Sequence, residues 1–333
     1  MIDAIIRRAR EMGVTDIHIT PNESVRFRRL GRLERTEYGS DEKTWSDWWQ
    51  NLLSPYEEKI LRTFGAVEVA PDNGMRVSLF RTSGMVVGSI RLLQPLAMLP
   101  PDPNLQILKK AAQLKSGLLL IGGITGSGKT TTMWRILQMI NDTCPVHVIA
   151  LEDPPEYRLE SNVACIRQRG IGTDVPDWET GLVSALREDP DVLVIGELRT
   201  SETVTSALRA AQTGHLVLAT LHCGSAESMI GRLVHMFPTG GQEEIRYQLA
   251  ATLQLLLVQC LVPLCSQQVV LREWAWRNPA LVTLIRDGKE HQLSAYLQTM
   301  GRYAQTWEQS RRQVLQMLVP GSDDATLLHA WQL

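Results

Sequence analysis

Residues 123–130, Gly-Ile-Thr-Gly-Ser-Gly-Lys-Thr, have the composition and spacing of a phosphate-binding loop, G-x-x-x-x-G-K-[ST]. Glycines in such a loop let the backbone wrap a phosphate with its N–H groups pointing inward. Lys129 can reach the β- and γ-phosphates of a nucleotide, and the Thr130 hydroxyl can hold Mg²⁺. We therefore expect a nucleoside triphosphate and Mg²⁺ to bind at Gly123, Ile124, Thr125, Gly126, Ser127, Gly128, Lys129, Thr130 and Thr131.

The segments on both sides of the loop fit this interpretation. The apolar run Leu118–Ile121 predicts a buried strand that leads into the loop. After the loop, Met133, Ile136, Leu137 and Ile140 recur at helical spacing. A helix that begins here adds its partial positive charge to an anion site.

Glu197 is a carboxylate that follows another apolar segment, Val192–Ile195. Ligands of a doubly wound sheet gather outside the carboxyl ends of its strands, so Glu197 is expected to face the same crevice as the phosphate loop. There it would hold Mg²⁺ and its water. The alternative is a structural ion pair.

Three more carboxylates, Glu152, Asp153 and Glu156, follow the apolar segment Val146–Leu151. One of them can orient or deprotonate the water that attacks a γ-phosphate, a reaction that depends mainly on positioning and charge stabilisation. Their position in the sequence does not select one of the three.

Two histidines, His215 and His222, stand on either side of the apolar segment Leu216–Leu221. They are an odd number of residues apart, so on a strand their side chains face opposite sides. This excludes a simple metal pair and leaves structural roles at the strand ends as the plain interpretation.

Composition narrows the class of protein. The chain has 333 residues, 44% of them hydrophobic and 21% charged, which is typical of a globular protein with two domains. Its net charge of -2 provides no field that would gather nucleic acid, so no nucleic-acid partner is expected. Five scattered cysteines favour reduced thiols in a cytoplasm. The longest apolar stretch, Leu249–Cys265, is interrupted by polar residues and is interpreted as a core helix, so no transmembrane segment is expected.

Proline is concentrated between residues 94 and 103, where helices and central strands cannot continue. We therefore predict a domain at 1–94, a linker at 95–104 and a second domain at 105–333. Thr15–Ile19 and Val25–Arg28 alternate like strands among helical patterns, which indicates a small α+β domain. Downstream, strand-length apolar runs alternate with helical periods, which is typical of an α/β domain with a parallel sheet.

Four blocks, at residues 123–132, 151–157, 187–199 and 213–222, together resemble the secretion ATPases of type IV pili and type II secretion. They are similar to the Walker A, Asp box, Walker B and His box of that family, in the same order. The resemblance implies a RecA-like P-loop NTPase domain with a smaller, PAS-like N-terminal α+β domain. It also implies a homohexamer that hydrolyses ATP.

The resemblance also implies roles for particular residues. Glu156 matches the general base of the Asp box and Glu197 the Walker B acid, while Lys129 belongs to Walker A. His215 and His222 match the histidines with which the family senses the state of the nucleotide. Arginines of the N-terminal domain that reach nucleotide in these motors have counterparts in Arg76 and Arg91.

In that family, hydrolysis changes the relative orientation of the two domains and moves an inner-membrane platform protein, which adds or removes pilin subunits. The resemblance thus implies a cytoplasmic protein, peripheral to the inner face of the membrane. The chain lacks the extra N-terminal domain and the four-cysteine module of assembly ATPases, which favours a retraction-type motor. Pro279–Lys289 resembles the retraction motif in part, with Val282 and Thr283 in place of an Arg-Asn pair. A short assembly ATPase of a pilus, competence pilus or type II system is the main alternative. A type IV secretion traffic ATPase and a non-hydrolysing nucleotide-binding module fit less well.

Overall fold

The computed structural model describes residues 1–71, 74–265 and 267–331. It divides into two compact units, which are Met1–Leu99 with Pro154–Arg158, and Pro100–Asp153 with Leu159–Leu333. The short segment Pro154–Arg158 therefore packs with the first unit, although the sequence suggested that it belongs with the second. No helix in the described part of the chain combines the length and the apolar character that crossing a bilayer requires.

The described residues of the first unit form a six-stranded antiparallel sheet and three α-helices. The strands are β1 (Asp16–Ile19), β2 (Ser24–Arg29), β3 (Arg32–Gly39), β4 (Ala66–Val69), β5 (Met75–Thr82) and β6 (Met85–Leu92), in the order β3-β2-β1-β6-β5-β4. The helices are α1 (Ile2–Glu11), α2 (Glu42–Leu52) and α3 (Pro55–Phe64).

One face of this sheet is apolar and the other is polar. Ile17 pairs with Ile90 across β1 and β6, and both side chains are buried in a core shared with the apolar faces of the helices. Trp45 of α2 is 1% exposed and donates its indole N–H to the Val86 carbonyl at 2.8 Å. Alternate residues point to the other face, where Asp16, Arg91 and Arg76 lie at directly paired positions. The α+β character predicted for this part of the chain is confirmed.

The second unit alternates helices and strands around a mixed sheet. Its strands are β7 (Gly117–Gly122), β8 (His147–Glu152), β9 (Cys165–Gly170), β10 (Val192–Ile195), β11 (Leu216–Leu221), β12 (Leu253–Pro263), β13 (Gln268–Trp276) and β14 (Ala304–Gln305). Its helices are α4 (Leu105–Ala112), α5 (Lys129–Thr143), α6 (Trp178–Ala185), α7 (Ser201–Gln212), α8 (Ala226–His235), α9 (Gln242–Thr252), α10 (Pro279–Arg286), α11 (Leu293–Thr299), α12 (Trp307–Leu315) and α13 (Asp323–Ala330).

The sheet of the second unit has the order β14-β13-β12-β7-β11-β10-β8-β9, with β12 to β9 parallel and β13 and β14 antiparallel at one edge. All six residues of β7 and all six of β11 are buried, as expected for strands covered on both faces. After β7 the chain crosses to β8, toward the β9 edge of the sheet. After β11 it crosses to β12, in the opposite direction, toward the β14 edge. This switch point between β7 and β11 opens the crevice in which ligands of such folds bind.

The interpretation of Leu249–Cys265 as a core helix is wrong. α9 ends at Thr252, and residues 253–263 form β12, which lies between β7 and β13. A continuous apolar run is compatible with a buried parallel strand as well as with a buried helix, and periodicity alone does not separate them. The segment forms a strand because its backbone groups pair with β7 on one side and β13 on the other.

Candidate nucleotide site

The phosphate loop begins directly after β7, at the switch point, and its last two residues, Lys129 and Thr130, begin α5. Gly126 and Gly128 have φ values of 77° and 81°, in the left-handed region where a side chain is disfavoured. A Cβ at Gly123 would lie 2.5 Å from the Gln259 carbonyl oxygen, so β12 approaches the loop too closely for any other residue there. The predicted strand, loop and helix are confirmed, and the loop has the backbone of an anion site at a helix N-terminus.

Lys129 is the first residue of α5 and is 9% exposed. Its Nζ donates hydrogen bonds to the carbonyls of Gly123, at 2.8 Å, and Ile124, at 3.0 Å. The ammonium group is thus held over the loop, where a bound phosphate would lie. Thr130 and Thr131 follow in the first turn of α5, next to the positive end of the helix dipole.

His222 connects Lys129 to Glu197. Its Nδ1 lies 3.5 Å from Lys129 Nζ, and its Nε2 lies 3.4 Å from Glu197 Oε1. The sheet order explains this arrangement, because β11 runs between β7 and β10, and His222 is the residue that follows β11. Glu197 follows β10, and the bond from Leu198 N to Thr220 O, at 2.9 Å, fixes its distance from β11.

The charge state of His222 follows from its surroundings. Burial and the nearby Lys129 ammonium lower the pKa of the imidazole, while Glu197 acts in the opposite direction. The ring is therefore neutral near pH 7. A neutral ring with its proton on Nε2 accepts from Lys129 and donates to Glu197, the tautomer that suits both neighbours.

Glu197 is also held by Arg199, whose Nε donates to Glu197 Oε2 at 2.9 Å. Arg199 is the last residue of the block at 187–199, and no role was predicted for it. It orients Glu197, with one carboxylate oxygen toward His222 and the other toward Arg199. A carboxylate in this state is a suitable oxygen donor for a divalent cation.

His215 does not join this cluster. It precedes β11, whereas the phosphate loop and His222 lie beyond the other end of that strand. Seven residues of extended chain span roughly 23 Å, so His215 and His222 occupy opposite edges of the sheet. The Nδ1 atom of His215 lies 3.0 Å from the Ala210 carbonyl and 3.1 Å from the Thr213 hydroxyl. Within this chain His215 therefore makes local contacts at the end of α7, at the edge of the sheet away from the phosphate loop.

The three carboxylates at the end of β8 and just after it have different surroundings. Glu152 is 4% exposed and accepts hydrogen bonds from Trp134 Nε1, at 3.1 Å, and Gln168 Nε2, at 3.0 Å. Its carboxylate is thus held by hydrogen bonds inside the core of the second unit. Asp153 is exposed and ends the second unit's segment, while Glu156 is 9% exposed and belongs to the first unit.

Within the first unit, Glu156 is bound by Arg76. The Arg76 guanidinium donates to Glu156 Oε1 at 3.0 Å and to Glu68 Oε2 at 2.6 Å. Burial alone would lower the pKa of Arg76, but these two carboxylates raise it overall. Arg91 lies directly across the β5–β6 pair from Arg76 and donates to Asp16 Oδ1 at 2.9 Å. The two predicted arginines are therefore neighbours on one face of the first unit, each already paired with a carboxylate.

Sequence reasoning also missed Gln259. This residue is 2% exposed in β12, and its Nε2 donates to the Ser127 carbonyl of the phosphate loop at 2.6 Å. The signal that would have revealed it is an amide inside the apolar run 253–262, since a buried polar side chain needs hydrogen-bond partners.

Residues 85–332 match the model of the type II/IV secretion system protein family. The chain belongs to this family. Its relatives include YggR of Escherichia coli strain K12, which is 36% identical over 311 residues, 90% of this chain and 93% of that protein. Another is the type IV pilus retraction ATPase PilT of Pseudomonas aeruginosa, which is 35% identical over 246 residues, 73% of this chain and 72% of that protein.

A solved structure of the pilus retraction motor PilT with bound ADP has a TM-score of 0.79 to this secretion system protein. The two chains are 33% identical, and the match covers 97% of this chain and 95% of the other. The family suggested by the four sequence blocks and the RecA-like fold of the second unit are thereby confirmed. The PAS-like character of the first unit stays a prediction.

The residues around the phosphate loop fit a nucleotide with a divalent cation. Ser127 Oγ is buried in the loop without a hydrogen-bond partner, as a group that awaits a ligand would be. Mg²⁺ on a nucleotide takes most of its ligands from phosphates and water, so one or two protein oxygens suffice. No group of three or more His, Cys, Asp or Glu side chains in the described ranges could hold a metal ion by itself.

Proposed function

We propose that this protein is the ATP-hydrolysing motor that powers retraction of a type IV pilus. The observation that carries the proposal is the chain of contacts from the phosphate loop through Lys129 and His222 to Glu197. It occurs in a fold shared over nearly the whole chain with a retraction motor that binds ADP. A phosphate loop alone would support binding, whereas an oriented carboxylate beside it supports turnover.

In the proposed reaction, residues 123–131 hold the phosphates of ATP. Lys129 would exchange its bonds to the Gly123 and Ile124 carbonyls for bonds to the β- and γ-phosphates. Thr130 and Glu197 would hold Mg²⁺, which would supply positive charge next to the phosphates. His222, adjacent to both Lys129 and Glu197, would respond to the presence of the γ-phosphate.

Glu156 is the proposed general base. Its ion pair with Arg76 orients the carboxylate. A glutamate that accepts a proton from water must present a lone pair in a defined direction, and the hydrogen bond from Arg76 to Glu156 Oε1 restrains that direction. Arg76 and Arg91 are proposed to contact nucleotide as well, as their counterparts do in the family.

We further infer a homohexamer in which hydrolysis alters the arrangement of the two units and acts on an inner-membrane platform protein. Rigid-body motion of domains is an established way to convert local phosphate contacts into movement. The motor would work in the cytoplasm at the inner face of the membrane. This part of the proposal rests on the family and on the relatives named as retraction motors.

A short assembly ATPase is the second candidate function. The matching family covers both type II and type IV secretion system proteins, and the retraction motif is only partly present in α10. A traffic ATPase or a module that binds nucleotide without turnover is less well supported. The orientation of Glu197 by two neighbours disfavours the latter, since a pure binding module has no need of it.

Deletion of the gene in its own host, with complementation by wild type or by Glu197→Gln, tests the proposal. A retraction motor predicts excess surface pili without twitching, restored by wild type and not by the variant. Loss of surface pili would instead establish the assembly function. Phosphate release by the purified chain, measured in parallel with and without Mg²⁺, separates a motor from a binding module and tests the metal requirement.

A further inference from the structure

Behind the phosphate loop lies a buried polar cluster in the second unit, formed by Gln259, Thr132, Arg272 and Asp102. All four side chains are at least nine-tenths buried, with exposures of 2%, 2%, 1% and 7%. Burying polar and charged groups costs free energy unless every group is paired, so a cluster of this size in a core requires an explanation.

Gln259 is the member that touches the loop. Its Nε2 donates to the Ser127 carbonyl at 2.6 Å, and its Oε1 accepts from the Thr132 hydroxyl at 2.7 Å. Glutamine is the side chain of this length that offers a donor and an acceptor at one end. Glutamate would offer only acceptors, and leucine would offer neither.

The bond to Ser127 has a consequence for the next peptide unit. In a trans peptide the C=O of one residue and the N–H of the following residue point in opposite directions. Because Gln259 holds the Ser127 carbonyl on the β12 side, the Gly128 N–H is directed away from β12. That is the direction in which a loop N–H must point to meet a phosphate.

Arg272 and Asp102 hold Gln259 in this orientation. Arg272 lies directly opposite Gln259 in the β12–β13 pair, and its Nε donates to Gln259 Oε1 at 3.3 Å. Arg272 Nη2 donates to the Thr132 hydroxyl at 2.9 Å and to Asp102 Oδ2 at 2.8 Å. Burial alone would raise the pKa of Asp102, but the guanidinium groups of Arg272 and Arg135 and the Asn104 N–H lower it overall, so the pair is charged.

We infer that Gln259 is a positioning residue that orients the Ser127–Gly128 peptide for phosphate binding, with Arg272 and Asp102 as its support. This inference rests on the proposed function, because it takes nucleotide to be the ligand of the loop. It assigns a role to a β12 residue outside the loop and outside the carboxylates and histidines around it.

The test measures ADP affinity of the purified full chain by calorimetry, together with the melting temperature without ADP. The variants are Gln259→Glu, which keeps the acceptor toward Thr132 and loses the donor toward Ser127, and Gln259→Leu, which loses both. We expect at least tenfold weaker ADP binding in each, and a raised KM for ATP with a smaller change in kcat. Cys260→Ala, at the next position of β12, serves as the control and should bind ADP as wild type does.

Each outcome of these measurements either supports or overturns the inference about Gln259. Variants that melt at a lower temperature but bind ADP within twofold of wild type would show a structural role only and overturn the inference. If both Gln259 variants fail to fold, Thr132→Val decides, because it removes one support of Gln259 with little change of shape. Several-fold weaker ADP binding by Thr132→Val supports the inference, and unchanged binding overturns it. Failure of wild type itself to bind ADP would refute the proposed function, a different outcome from normal wild-type binding with unaffected variants.

Discussion

The Nδ1 atom of His222 lies 3.5 Å from the Nζ atom of Lys129. The first residue comes from the end of β11 and the second from the start of α5, so the contact exists only because β11 runs beside β7. The imidazole thereby links the lysine that would bind phosphate to the carboxylate that would act on water and metal.

Substitution Glu197→Gln keeps the size of the side chain and removes its charge. We expect hydrolysis to fall by at least a hundredfold, because the metal and the attacking water lose an anionic partner, while ADP affinity changes only a few-fold. Phosphate release and ADP calorimetry measure the two effects. Glu179→Gln, an exposed position on α6, is the control, and retained turnover in Glu197→Gln would refute the assignment.

The two histidines offer a matched pair of variants. His222→Ala should reduce the difference in affinity between ADP and a non-hydrolysable ATP analogue, because the group that lies between Lys129 and Glu197 is lost. His215→Ala should leave that difference unchanged, since His215 lies at the opposite edge of the sheet. Titrations with both nucleotides measure the ratio. An equal effect of the two substitutions would contradict a specific role for His222.

Glu156→Gln is expected to abolish turnover with nucleotide binding retained, if Glu156 is the general base. The substitution replaces the ionic half of the pair with Arg76 by a neutral hydrogen bond, so the fold of the first unit should change little. Glu160→Gln, an exposed acid four residues further along, is the control. Steady-state hydrolysis that survives Glu156→Gln would assign the base elsewhere, with Asp153 as the next candidate.

Gly88 tests the packing of the first unit. A Cβ at this position would lie 2.5 Å from the Trp45 ring, a contact that the buried indole cannot relieve without moving. Gly88→Ala should therefore destabilise the unit by about 1–3 kcal/mol. Gly39→Ala is the control, because its Cβ would meet its nearest neighbour, the Glu23 carbonyl oxygen, at 3.6 Å. Denaturant unfolding followed by tryptophan fluorescence gives both values, and equal stabilities would show that the Trp45 contact is absent.

The cysteines should differ in their reactivity. Burial raises the pKa of the Cys260 thiol to about 12 and that of Cys223 to about 11. At pH 8 roughly one Cys260 thiol in ten thousand would be ionised, and the reactive thiolate becomes tenfold more abundant for each unit of rising pH. Iodoacetamide should therefore label the exposed Cys165 and Cys265 first, as followed by peptide mass spectrometry. Rapid labelling of Cys260 in the folded protein at pH 8 would contradict this order.

Features that depend on local spacing could be predicted from the residue order. The loop at 123–130, the buried strand before it and the helix after it follow from residue types a few positions apart, and all three were found as expected. The alternation of strands and helices also gave the α/β class of the second unit. These patterns are reliable because one short segment contains both the signal and its cause.

The relationships between distant segments depend on how the whole domain folds. The residues of the apolar run 249–265 do not show whether its backbone hydrogen-bonds within a helix or to neighbouring strands. Residues 253–263 form β12 because they pair with β7 and β13. The separation of His215 from His222 depends on which end of β11 faces the phosphate loop. Gln259 contacts Ser127 across 132 residues of sequence, because the sheet order places β12 beside β7. Such contacts follow from strand order, which is set by the packing of the whole domain and leaves no trace in local spacing.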